Sequence, residues 1–197
     1  NHPNPGPLLT LYDGYHGRSL ATMGWSWPHL NNDFNSFIVP GVRIPQPYYY
    51  RHALPGETPS QMGKRCAEIL RDTIRFAVNG KPPAFLMEPV QGNGAQLDFP
   101  REYYHYVRDV CNEENVLLIW DEIQTGMGRC GTMWAAEYYD VEPDILIFGK
   151  GVGGGFPLAG IIAREDLIGF EPGDDSLTFG QFPISLAAGL AALRVLK

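Results

Sequence analysis

The sequence predicts an α/β protein built on a largely parallel sheet with flanking helices. Three observations carry this: short apolar runs alternate with amphipathic stretches from Leu8 onward, a polar or glycine residue follows each run, and no run is long enough to span a bilayer. A chain of 197 residues, 44% hydrophobic, can bury one sizeable core.

Leu8–Leu11 reads as a short buried strand that stops at Asp13-Gly14. Residues 26–56, rich in Pro, Asn and Tyr and without a clear period, read as a long surface excursion. From Thr58 the apolar positions Met62, Cys66, Ile69, Leu70, Ile74 and Ala77 recur at helical spacing, with Pro59 suited to a first turn and Gly80 to a stop. Ala84–Met87 is a buried strand, residues 100–114 a helix, residues 116–120 a strand and Ile145–Phe148 another. Gly160–Ala163 makes a further strand and residues 184–197 a closing helix. No internal repeat or low-complexity segment interrupts this order.

The charge balance, 15 basic against 22 acidic residues with no block of like charge, gives no footprint for nucleic acid or an anionic membrane. Cys66, Cys111 and Cys130 are odd in number and far apart, which fits neither a disulfide framework nor a CxxC metal site and points to a reducing, cytoplasmic setting. His2, His29, His52 and His105 show no ligand spacing, so no metal is expected. The Pro-rich start resembles a linker rather than a signal peptide, and the chain ends inside a helical pattern, as a truncated piece would.

Three of the strands place Glu88, Asp121 and Lys150 at or just beyond their carboxyl ends, where open α/β sheets build a ligand crevice. Lys150 sits inside Phe148-Gly149-Lys150-Gly151-Val152-Gly153-Gly154-Gly155, a backbone with few side chains and therefore room for a bulky group beside the amine. A lysine amine must be neutral to attack an aldehyde, and burial is the usual means of neutralising it. An aspartate on a neighbouring strand can hold the ring nitrogen of a heterocycle protonated, with a gross Coulomb attraction of roughly 4 kcal/mol at ~4 Å and an effective dielectric of ~20, before desolvation is subtracted.

At these positions the chain resembles the class III pyridoxal-phosphate-dependent aminotransferases, which include enzymes acting on 4-aminobutyrate, ornithine and other ω-amino substrates. The likeness covers almost the whole chain. It rests on five motifs in family order: Tyr15-His16-Gly17-Arg18-Ser19, Glu88-Pro89-Val90-Gln91-Gly92, Trp120-Asp121-Glu122-Ile123-Gln124-Thr125-Gly126, Phe148-Gly149-Lys150-Gly151 and Thr178-Phe179-Gly180. The resemblance implies a fold type I large domain over residues 1–197, incomplete, with the small domain built from two chain ends that are not present. It implies a homodimer with a shared active site, and transfer of an amino group from an ω-amino acid or amine to a keto acid.

The same resemblance implies roles for individual residues. Lys150 and Asp121 are then catalytic, as the Schiff-base lysine and the partner of the cofactor's ring nitrogen. Tyr15 and His16 are cofactor contacts, with Tyr15 stacking on the ring. Ile123 lies behind the ring, Gln124 near the phenolic oxygen, and Thr178 reaches the phosphate of the partner subunit's cofactor. Arg18 anchors a substrate carboxylate through its planar fork, and Glu88 is an acid near the substrate. Two departures stand out. Asn93 occupies a position where many members have a glutamate, and an Asn cannot form the ion pair that such a glutamate makes. The resemblance implies that the phosphate-cradling turn falls before residue 1.

Competing readings are weaker. Gly149 to Gly154 spells G-x-G-x-x-G, the phosphate turn of a dinucleotide-dependent oxidoreductase, yet it runs into strand-like Leu158 to Ala163 instead of opening a helix. Racemases and decarboxylases share the aminotransferase framework and form the alternative chemistry.

Overall fold

The computed structural model describes residues 5–27, 37–167, 169, 171, 173–174 and 177–196. His2, His29, Lys197 and part of the excursion at 26–56 lie outside them. The chain divides into two compact units, residues 1–120 and 121–197.

In the first unit, β1 (Leu8–Leu11), β2 (Gly41–Ile44), β3 (Ala84–Met87) and most of β4 (Leu117–Asp121) run parallel. β1 pairs with β2 and β3, and β3 with β4 in the register Ala84↔Leu117 to Met87↔Trp120. All four residues of β3 are buried, as a strand covered on both faces requires. Helix α1 (Leu20–Trp25) follows β1, a single turn α2 (Tyr49–His52) follows β2, and α3 (Pro59–Asp72) precedes β3. Thr58 caps α3 with its side chain, and Gln61 closes the capping box.

Helix α4 (Arg101–Glu114) packs on α3 where Gly63 allows close approach; a Cβ there would lie 3.1 Å from that of Tyr103. It ends at Asn115 in the left-handed region, φ 51°, with the Val116 N–H donating to the Cys111 carbonyl. Phe85, Tyr103, Tyr104 and Trp120 are all fully buried in this core.

The second unit begins at the last residue of β4. It holds a short helix α5 (Ala135–Tyr139) and the antiparallel pair β5 (Ile145–Phe148) and β6 (Gly160–Ala163). Between the two strands lies a 3-10 turn at Lys150–Gly153, and α6 (Pro183–Leu196) closes the chain. The Glu122 N–H donates to the Ile147 carbonyl at 2.9 Å, so the chain leaving β4 runs beside β5.

The expected strands and long helices are present, and the sheet pairs are mostly parallel. The excursion needs correction, because Gly41–Ile44 in it is a parallel strand and Tyr49–His52 a helical turn. The sequence does not mark α1 and α5 either; both are too short to show a helical period. Beyond Asp72 the α3 helix widens into a π-turn at Thr73–Ala77, which moves Ala77 to the exposed side although the period placed it with the apolar face. Among the described residues no helix is long and apolar enough to cross a membrane, and no three His, Cys, Asp or Glu residues gather as metal ligands.

Candidate active site

Strand ends supply the site residues of both units. In the first unit, the chain leaving β1 turns through Asp13, whose φ of 58° a short polar side chain tolerates. Four hydrogen bonds fix this turn in place. The Tyr12 N–H donates to the Ile44 carbonyl at 2.8 Å, and the Gln91 amide donates to the Tyr12 carbonyl at 2.8 Å. The Gln46 amide donates to Asp13 at 2.9 Å, and the Trp27 N–H donates to the Gly14 carbonyl at 2.7 Å. Gln46 and Gln91 are both fully buried, so the side-chain donors of two of these bonds are held in the core.

Tyr15 and His16 come next on this pinned loop, each half-buried. The Tyr15 N–H donates to Glu88 Oε2 at 2.8 Å, and the Gly92 N–H donates to Glu88 Oε1 at 3.2 Å. The structure therefore brings Tyr15 and Glu88 together, with Glu88, only 4% exposed, spending both oxygens on backbone donors. Tyr104, donating from its hydroxyl to the Pro89 carbonyl at 2.6 Å, holds the other side of the Glu88 segment.

The His16 N–H donates to Ser26 Oγ at 2.8 Å, and that buried hydroxyl donates in turn to the Thr22 carbonyl at 2.7 Å. Arg43 completes the support, donating to the Ser26 and Gly24 carbonyls at 2.9 and 2.7 Å. Arg18 is exposed just before the Ser19 cap of α1, and Asn93 is exposed beyond Gly92.

In the second unit, Asp121 closes β4 and is 5% exposed, with Oδ1 accepting from the Ile123 N–H at 3.2 Å. Lys150 lies two residues past β5. Its backbone is left-handed, φ 46°, a conformation that an unbranched non-glycine residue adopts only at a cost and that recurs at functional sites. On either side the chain packs tightly: a Cβ on Gly149 would lie 3.4 Å from Ile123 Cγ1, and one on Gly151 3.3 Å from Met127 Cβ. The structure thus brings the Asp121 turn against the Lys150 turn through Ile123 and Met127.

Burial does not distinguish Lys150, contrary to the sequence expectation. The residue is exposed, because its glycine neighbours supply no side chains to cover it. Gln124 is exposed on the 121–126 turn, Ile123 is half-buried, and Thr178 is exposed in a separate turn that precedes α6.

The sequence marks Glu122 only as part of a motif, with no role of its own. It is 1% exposed and accepts from the Ala135 N–H at 2.6 Å, the Ala136 N–H at 2.9 Å and the Thr125 hydroxyl at 3.1 Å. Burial pushes its carboxyl above the usual range, while those three donors pull the other way. A charge hidden against backbone donors thirteen residues ahead leaves no trace in sequence spacing.

The family model for class-III aminotransferases matches residues 2–197. An acetylornithine aminotransferase of Methanocaldococcus jannaschii is 33% identical over 98% of this chain and 43% of its own length. One from Caldanaerobacter subterraneus subsp. tengcongensis is 45% identical over 62% of this chain and 31% of its own. Among solved structures, an (S)-enantioselective omega-transaminase from Thermomicrobium roseum superposes with a TM-score of 0.86 at 29% identity, covering 96% of this chain and 43% of that one. The chain spans less than half the length of each of these relatives. With residues 2–197 matched by the family model and the mostly parallel α/β fold shared, the chain belongs to the class-III aminotransferases.

Proposed function

We propose that this chain is the cofactor-binding large domain, residues 1–197, of a pyridoxal-phosphate-dependent aminotransferase that moves an amino group from an ω-amino acid or amine to a keto acid. The observation that carries the reading is Lys150, held in a left-handed backbone two residues past β5, between two glycines packed on Ile123 and Met127. The relatives named for acetylornithine and the omega-transaminase structures support a donor with a terminal amine.

The residues present fit the cofactor. A buried carboxylate at the end of β4 suits a protonated ring nitrogen, and an exposed amine beside glycines suits an aldehyde. In this reading Lys150 and Asp121 are catalytic, and Tyr15, His16, Ile123, Gln124 and Thr178 hold the cofactor. Pyridoxal phosphate supplies an electron sink conjugated to the carbon that carries the amino group.

Everything else falls to the chain. Asp121 keeps a proton on the ring nitrogen. The Lys150 amine, Nζ, takes a proton from the amine-bearing carbon in its neutral form and returns one as the ammonium, first with the donor and then with the keto acid. Arg18, exposed on the loop after Tyr15, binds a substrate carboxylate, and Glu88, the acid assigned near the substrate, holds the Tyr15 backbone. The enzyme works as a homodimer in which Thr178 serves the partner's cofactor, and three cysteines far apart in sequence suit the cytoplasm.

The test is product analysis. Full-length protein, given a donor with a 15N-labelled terminal amine and a 2-oxo acid, should yield the labelled amino acid and the donor's carbonyl product in equal amounts. Loss of carbon dioxide, or inversion of a chiral donor, without label on the acceptor would overturn transfer.

A further inference from the structure

We propose that Glu122 is a positioning residue for the catalytic pair: its buried carboxylate fixes the turn through which Asp121 is aimed and Lys150 is flanked. The proposal rests on the aminotransferase reading and assigns work to a residue that touches neither cofactor nor substrate in it.

Glu122 is held at five points. Its N–H donates to the Ile147 carbonyl and its own carbonyl accepts from the Gly126 N–H, both at 2.9 Å. Its carboxylate accepts from Ala135, Ala136 and Thr125. The first two donors are the leading N–H groups of α5, which the helix itself cannot satisfy. The residue therefore joins β5, through its backbone, to the start of α5, through its carboxylate, at one buried point just past β4.

The segment held in this way is the run 121–127. The Ile123 N–H, on that run, donates to Asp121 Oδ1, so the orientation of the Asp121 carboxylate depends on where the run sits. Ile123 and Met127 pack against Gly149 and Gly151, the two flanks of Lys150. One displaced turn would disturb both members of the pair.

Three donors converge on the carboxylate, and a protonated acid would bring a fourth hydrogen with only donors around it. The site is thus built for the ionised form, although burial and nearby Glu137 oppose the charge. A glutamine at this position would set its NH2 against one of the same donors and leave at least one unsatisfied.

The experiment compares full-length holoenzyme carrying Glu122→Gln with wild type and with Glu57→Gln, a control at an acid paired to Arg65 in the first unit. Pyridoxal-phosphate dissociation is measured by fluorescence titration, the holoenzyme's visible absorption band is recorded, and kcat and KM are separated. Glu122→Gln should weaken cofactor binding about tenfold and lower kcat by at least about tenfold, with a displaced band and donor KM within about threefold of wild type. Glu57→Gln should leave all three unchanged.

A Glu122→Gln protein that melts earlier yet keeps wild-type cofactor affinity, band and kcat overturns the proposal and makes Glu122 a packing residue. If that variant does not fold, Thr125→Val carries the test, with about a threefold loss of cofactor affinity expected and no loss overturning it. Wild type that shows no visible band and no transfer overturns the functional reading itself, an outcome separate from a Glu122 variant that behaves as wild type.

Discussion

The two units use apolar residues in opposite ways. In the first, Leu9 and Leu11 of β1, the four residues of β3, and residues such as Tyr103 and Trp120 are buried to within a few per cent. In the second, equally apolar segments lie at the surface: Ile161 and Ile162 of β6 are 53% and 50% exposed, and Val195 of α6 is 86% exposed. Apolar patterning therefore predicts an element in both units but does not predict the exposure of β6 and α6 in the second. The supports of the site differ in the same way. The first unit pins Tyr15 and His16 with buried side-chain hydrogen bonds, whereas the second sets Lys150 by glycines that let Ile123 and Met127 approach its backbone.

This contrast can be broken by substitution. The largest effect is expected at the two carboxylates. Asp121→Asn should lower turnover about 10³-fold or more with the fold retained, because the ring nitrogen loses its counter-charge. Glu88→Gln should cost much less turnover, since Glu88 positions the backbone of Tyr15 and Gly92 and does not face the ring nitrogen in this reading. Steady-state kinetics on both variants decide this, and equal losses would remove the distinction between a chemical and a supporting carboxylate.

Next in size is the core. Trp120→Ala should cost roughly 3–5 kcal/mol in urea unfolding, while Ile162→Ala at the half-exposed position should cost under about 1 kcal/mol. Comparable losses would mean that β6 is covered in solution. A smaller effect, about 1 kcal/mol, is expected for Thr58→Ala, which removes the N-terminal cap of α3.

The smallest concerns acid. Arg65 beside Glu57 holds the Glu57 carboxyl at about 2, below the usual carboxylate range. A depressed carboxylate contributes stability that is present above its unfolded value and lost as the pH falls through the folded one. The difference in melting temperature between wild type and Glu57→Gln should therefore shrink as pH drops from neutral toward 2, and a difference that grows would contradict the pairing.

The parts of this molecule that are legible in the sequence are those where one signal acts alone. Ala84–Met87 is a strand because every residue is apolar and both faces are covered. Glu88, Asp121 and Lys150 stand out because a polar residue ends an apolar run. Gly41–Ile44 is hidden because it is bounded by Pro40 and Pro45 and is only partly buried at the sheet edge, so neither a continuous apolar run nor a clean alternation marks it. Glu122 is hidden for a different reason. Two of the three donors to its carboxylate are backbone N–H groups of Ala135 and Ala136, which carry no residue identity to read.

Whether Lys150 carries the chemistry is decided by trapping. Full-length holoenzyme is reduced with borohydride, digested and mapped by mass spectrometry. The reduced cofactor should be covalently attached at Lys150. Attachment at Lys64, Lys81 or Lys197 instead would contradict it.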